Sequence, residues 1–184
     1  MTDRIRLGML LFIASEAVFF VLLIIAFAVY HREAGNGAEA ASRLDVARTA
    51  AFTAALVSSS LTVWLAARTL RRGRRRAGLA WITVTVLLGA TFLAGQAREY
   101  AGLIREDVTI SRDLFGTTFF TLTGFHGLHV LLGLLLLGTL VVMGLVWKRG
   151  EPRESAIESV SLYWHFVDVV WLVIFPVVYL WGRL

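Results

Sequence analysis

Few residues in this sequence can do chemistry, and they stand in apolar company. Tyr163-Trp164-His165-Phe166-Val167-Asp168-Val169-Val170-Trp171 lies in a run, Ser159 to Gly182, that is otherwise uncharged and long enough to cross a bilayer. An acid at the centre of a membrane helix costs about 2.5–3.5 kcal/mol on insertion scales, so Asp168 should face protein or water. His165 and Asp168 are three residues apart. On a helix they share a face and can pair, either as a lock between spans or as a proton relay or polar-lipid contact. Trp164 and Trp171, seven apart, line a neighbouring stripe.

Glu16 and the pair His126/His129 raise the same question in other apolar runs. Glu16 could handle protons or face a lipid head group, or it could pin two helices together as a neutral carboxyl. His126 and His129, at i and i+3, share a face beside Gly124, Gly127 and Gly133. Two readings compete. Both imidazoles bond to other helices while the glycines allow close approach, or one of them joins His165 as a haem or metal ligand pair. The last candidate is basic. Arg68, Arg71, Arg72, Arg74, Arg75 and Arg76 place six arginines in nine residues. Such a cluster sets membrane topology and can also hold anionic lipid, at about 1 kcal/mol per charge near an anionic surface.

The elements that must position these side chains follow from hydropathy. Of 184 residues, 58% are hydrophobic, and the mean hydropathy is +0.73. The apolar residues fall into blocks of membrane-spanning length. We expect an all-α integral membrane bundle of five transmembrane helices, over about residues 7–30, 49–67, 77–97, 115–146 and 159–182, in one membrane domain covering 1–184. The loops are too short for a core of their own. The stretch His31 to Arg48, with Gly35-Asn36-Gly37, should be partly irregular. A charged loop should run from the end of the third span to Asp113. The uncharged stretch from Leu114 to Trp147 would make about 50 Å of helix, so it must tilt, project or begin late. Pro176 should kink the fifth span. Small residues (Ser58, Ser59, Gly89, Gly127, Gly133, Gly138) read as packing seams.

Lys and Arg are unevenly divided between the two sides. The N-terminus and the second and fourth loops carry 11; the first and third loops and the C-terminus carry 7. The richer side should be cytoplasmic, which puts the N-terminus inside and the C-terminus outside. The net charge of +5 therefore reflects topology and not nucleic-acid binding. There are no cysteines, which excludes disulfides, thiolate metal sites and iron–sulfur clusters. No cleavable signal peptide is evident, and no P-loop, HExxH or GxSxG is present. A polar interior without an independent active site suggests a subunit of a larger assembly.

Five stretches carry a family resemblance. They are Leu7-Gly8-Met9-Leu10-Leu11-Phe12-Ile13-Ala14-Ser15-Glu16 with Phe19-Phe20; Ser58-Ser59-Ser60-Leu61-Thr62 with Trp64; and Gly95-Gln96 with Glu99-Tyr100. The fourth runs from Phe115-Gly116-Thr117-Thr118-Phe119-Phe120 into Thr123-Gly124-Phe125-His126-Gly127-Leu128-His129-Val130, and the fifth is Tyr163 to Trp171. In this order and across nearly the whole chain, the sequence resembles subunit III of haem–copper oxidases, the cytochrome c oxidase subunit III family.

The resemblance implies a non-redox subunit that packs on subunit I, which holds the haems and the reaction-centre copper, in a complex that also contains subunit II. It implies structural phospholipids in a cleft and support of proton uptake during oxygen reduction. Glu16, His126, His129, His165 and Asp168 would be polar interior near that cleft, with no catalytic, cofactor or metal residue in this chain. Longer members have two further N-terminal helices, and this chain resembles the short bacterial form of the cytoplasmic (inner) membrane. Another subunit could complete its cleft. Short members also occur in quinol oxidases, and relatives accompany nitric oxide reductases. Outside the family, the same polar interior would suit a stand-alone proton-coupled transporter, and the histidine pairs a small membrane cytochrome.

Overall fold

The computed structural model describes residues 2–33, 44–110, 114–146 and 154–181. They form five helices: α1 (Thr2–Glu33), α2 (Val46–Arg71), α3 (Arg75–Arg105), α4 (Leu114–Val146) and α5 (Glu154–Phe175), which runs on into a π-helical turn at Pro176–Leu180. All five are long and apolar enough to cross a membrane. No strand is present among the described residues. The glycine-rich stretch between α1 and α2 falls at residues 34–43, outside the described residues, as do 147–153 and the C-terminal 182–184.

Local chemistry sets the helix ends. The Asp45 side chain accepts the Arg48 N–H at 3.0 Å and caps α2, a bond worth about 1 kcal/mol. Between α2 and α3 the chain reverses through Gly73, whose φ of +72° suits a residue without a Cβ. There the Gly73 and Arg74 N–H groups close back on the Leu70 and Thr69 carbonyls at 2.9 and 3.0 Å. Pro176 has no N–H to give to the turn before it, and the wider π turn begins at that residue. The helix bend expected at Pro176 thus takes the form of a change in helix type.

One expectation needs correction and one is narrowed. The charged segment after Ala97 is not loop: α3 continues to Arg105. Its polar residues Gln96, Glu99 and Tyr100 turn inward, while Arg98 and Arg105 are exposed. The long uncharged stretch does not begin late, because α4 is helical from Leu114.

α5 is the central element. It packs on α1, α2 and α4, while α2 and α3 form a close hairpin and α4 bridges α3 to α1. The Trp164, Trp171, Tyr179, Phe20, Phe92 and Phe119 side chains are wholly buried around it. The Trp164 ring is slotted between two glycines: a Cβ at Gly89 would lie 2.6 Å from Trp164 Cη2, and one at Gly133 2.7 Å from Cε3. These are close approaches that only glycine permits. Gly127 and Gly124 make ordinary contacts, Gly138 meets nothing within 4 Å, and Ser58 is exposed and bonds its own helix at Ala54 O. Gly138 and Ser58 are therefore not packing seams.

Candidate functional site

The membrane acids and imidazoles gather near the middle of their helices and join them. Glu16 on α1 meets His129 on α4, with Oε2 to Nε2 at 3.1 Å. His129 Nδ1 donates to the Phe125 carbonyl one turn back, at 2.7 Å. That bond requires a hydrogen on Nδ1, because a carbonyl can only accept. The contact between Nε2 and the carboxyl then needs one hydrogen between the two atoms. Tyr163 on α5 donates to the His129 carbonyl at 3.1 Å, which ties α5 to the same place.

On the other flank of α5 the network is built from hydroxyls. Trp164 Nε1 donates to Ser59 Oγ at 2.8 Å, and Trp171 Nε1 donates to Thr53 Oγ1 at 2.9 Å. The two-turn spacing of the indoles thus matches hydroxyls six residues apart on antiparallel α2. Between them, Ser60 Oγ donates to Asp168 Oδ2 and lies 3.0 Å from His165 Nδ1. His165 and Asp168 share a face as their spacing predicts, but they do not pair directly. A serine hydroxyl from α2 joins them. The layer reaches α3 through Thr62 and Thr85, whose hydroxyls lie 2.7 Å apart.

His126 behaves unlike its neighbour. It is fully buried, and neither ring nitrogen has a hydrogen-bond partner among the described residues. Its ring stacks on Trp171 at 4.8 Å and meets the edges of Phe92 and Phe20 at 5.9 and 6.3 Å. The expectation that both imidazoles of the pair bond to other helices holds for His129 and fails for His126. Both His129 nitrogens are engaged and His165 Nδ1 is held by Ser60, so these rings are tied to protein groups. No three His, Asp or Glu side chains converge among the described residues.

A third acid belongs to the interior. Glu99 accepts from Thr49 at 3.2 Å, Gln96 at 3.3 Å and Tyr179 at 2.6 Å, linking α2, α3 and the π turn. Sequence reasoning placed it in a loop. The available signal was Gln96 with Glu99 at helical spacing directly after an apolar run.

The arginines cluster at the α2–α3 turn. Arg68 lies over the Trp64 ring, 5.1 Å from its centroid. Arg71 pairs with Glu158 at 3.4 Å on the surface, and Arg75 donates to the Gly144 carbonyl near the end of α4. Arg72, Arg74 and Arg76 are exposed.

Together these features define an all-helical, multi-pass membrane protein held by a polar layer at mid-span. The sequence pattern of the family described as cytochrome c oxidase subunit III matches residues 1–183. The chain is 37% identical over 179 residues to subunit 3 of the cytochrome bo(3) ubiquinol oxidase of Pseudomonas aeruginosa, covering 96% of this chain and 85% of that protein. It is 37% identical over 184 residues to cytochrome c oxidase subunit 3 of Corynebacterium diphtheriae, covering 96% and 88%. To cytochrome c oxidase subunit 3 of Scyliorhinus canicula it is 36% identical, covering 97% of this chain and 70% of that one. The chain belongs to the cytochrome c oxidase subunit III family of haem–copper oxidases.

Proposed function

We propose that this chain is the non-redox subunit III of a proton-pumping haem–copper terminal oxidase in a bacterial cytoplasmic membrane. In this reading it packs against subunit I, which with its partners holds the haems and copper, and it stabilises that subunit during oxygen reduction. The observation that carries the reading is the family match along the whole chain. The geometry supports it: Glu16, His129, His165 and Asp168 each bond to a group on another helix, as a scaffold requires. The exposed arginines of the α2–α3 turn, beside a half-exposed Trp64, suit the anionic head groups of structural phospholipid on the cytoplasmic side.

Relatives of equal identity serve a ubiquinol oxidase and a cytochrome c oxidase. The electron donor is therefore a property of the partner subunits.

The test is purification in mild detergent through a tag on this chain, with subunit identification and an absorbance spectrum. Co-elution of large subunits with haem bands is expected. A single colourless 20.4 kDa species in every gentle detergent would overturn the reading and favour a stand-alone transporter. In the intact complex, Glu16→Gln and Asp168→Asn should leave the initial rate of oxygen reduction near wild type and shorten the number of turnovers before activity decays. Immediate loss of turnover with assembly intact would overturn the supporting role.

A further inference from the structure

α5 changes helical phase once, and the change brings one side chain to a target. Trp164 and Trp171 are seven residues apart and meet Ser59 and Thr53 of α2. At 3.6 residues per turn, seven residues fall about 20° short of two full turns, so the two indoles share a line. Tyr179 stands eight residues beyond Trp171. An unbroken α-helix would carry it about 80° past that line, close to the direction of Leu172, which is 49% exposed. Tyr179 is instead wholly buried, with its ring 6.3 Å from Trp171 and 6.4 Å from Phe119 of α4. The π turn accounts for the difference. The Trp181 N–H bonds to the Pro176 carbonyl, five residues back. The turn therefore takes up one extra residue and sets the phase back by about 100°, which returns Tyr179 to the line of the indoles.

The target is Glu99. The Tyr179 hydroxyl donates to Glu99 Oε2 at 2.6 Å and accepts from Gln96 Nε2 at 3.4 Å. Gln96 also donates to Oε2, at 3.3 Å, and Thr49 Oγ1 lies 3.2 Å from Oε1. The place of this cluster in the fold matters. Gly73 closes one end of the α2–α3 hairpin. Thr49 and Glu99 lie at the other end, where no turn of the chain joins the two helices. Tyr179 is the one polar side chain in the sequence of the turn, Pro176-Val177-Val178-Tyr179-Leu180. Pro176 has no N–H, so the α-helical ladder of α5 is interrupted where the turn begins. Past Tyr179, Leu180 and Trp181 are exposed again.

We propose that Pro176–Trp181 is a strap that Tyr179 latches across the open end of the α2–α3 hairpin, with Glu99 as the keeper and the extra residue of the π turn setting the register. The break in the ladder at Pro176 lets the strap open as its own unit while Trp164 and Trp171 stay seated. Opening withdraws the Tyr179 hydroxyl from Glu99 and Gln96 and frees the ends of α2 and α3 from α5. Glu99 thereby differs from Glu16 and Asp168, which fasten helices at mid-span: it holds a segment that can leave without unfolding the rest.

The experiment is amide hydrogen exchange, read by mass spectrometry on the protein held in native-lipid nanodiscs with its associated subunits. Tyr179→Phe keeps the ring and removes the latch. Exchange should rise about tenfold over residues 177–181 and in the last turn of α3, residues 101–105, while residues 160–171 stay as slow as in wild type. An equal rise along the whole of α5 would mean that the helix opens as one body, and no rise anywhere would mean that apolar contacts alone hold the turn; either overturns the proposal. A strap that opens without loosening 101–105 does not hold the hairpin, and that also overturns it. Glu99→Leu should match Tyr179→Phe, and Glu99→Gln, which keeps an acceptor oxygen, should recover most of the protection. Slow exchange in Glu99→Leu would remove Glu99 as keeper. The register is tested by Pro176→Ala combined with deletion of Val177, which restores seven-residue spacing in a plain α-helix. This variant should keep the strap closed, with exchange close to wild type. Exchange as fast as in Tyr179→Phe would overturn the role given to the extra residue.

Discussion

Glu16 and Asp168 face the same penalty and meet it differently. Glu16 sits on α1, a helix packed on one side only, and its side chain is 23% exposed. It bonds to an imidazole whose other ring nitrogen is held by the Phe125 carbonyl. Asp168 sits on the central helix, is 3% exposed, and bonds to a serine hydroxyl that also holds His165. Its other oxygen has no hydrogen-bond partner among the described residues. The outer helix is thus fastened by one acid–imidazole contact. The central helix is fastened at several points by hydroxyls and indoles of fixed shape, with Ser60 bridging Asp168 and His165. The α2–α5 seam should therefore be the rigid one and the α1 contact the tolerant one.

The largest disturbance should come from the indole seat that sets α5 against α3 and α4. Gly133→Val places carbons where the Trp164 ring now lies, and Gly89 closes the opposite side. Overpacking of this kind costs about 1–3 kcal/mol, and a ring blocked on both sides belongs at the upper end. Unfolding of the chain in mixed detergent–bicelle titrations should show the loss, and Gly127→Val, at a looser contact, should show much less. Equal effects at both positions would mean that the slot does not define the seam.

Ser60→Ala should rank next. It removes the bond to Asp168 Oδ2 and the partner of His165 Nδ1 in one step. Each buried polar group left unsatisfied costs about 1–3 kcal/mol, although hydrogen bonds between membrane helices average only about 0.6 kcal/mol in mutant cycles. We expect a loss of about 2 kcal/mol in the same titration, partly relieved in Ser60→Ala with Asp168→Leu, where no stranded carboxyl remains. A double variant worse than the single would assign Asp168 a partner other than Ser60.

Much of this layout was legible in the sequence, because apolar run length and helical spacing are local properties. Five runs gave five helices, and the i, i+3 spacing of His165 and Asp168 put them on one face. What spacing cannot give is the residue that arrives from another helix. Ser60 comes between the two from 105 and 108 residues away, and any of several acid–histidine pairings would have satisfied the same pattern as Glu16 with His129. Helix ends were misjudged where polar residues are spent inside the bundle. Gln96, Glu99 and Tyr100 look like the start of a loop until Tyr179 and Thr49 are seen to meet Glu99. Trp164 was legible as a helix face but not as a slotted ring, since Gly89 and Gly133 are 44 positions apart in the chain.

The smallest expected effect sharpens the contrast most. Glu16→Gln replaces a carboxyl by an amide of nearly equal shape, and the amide N–H can donate to His129 Nε2 while Nδ1 stays on the Phe125 carbonyl. The change should cost no more than about 0.5 kcal/mol, near the average for one interhelical bond in a membrane. Glu16→Leu removes the bond altogether and should cost about twice that. Adding His129→Leu to it should cost less than the sum of the two single losses, because the stranded nitrogen is removed with its partner. If Glu16→Gln proved as damaging as Ser60→Ala, the pair would have to be an ion pair that the amide cannot imitate. Glu16 would then be as rigid a fastening as the hydroxyl seam, and the difference between the outer and central helices would lie in burial alone.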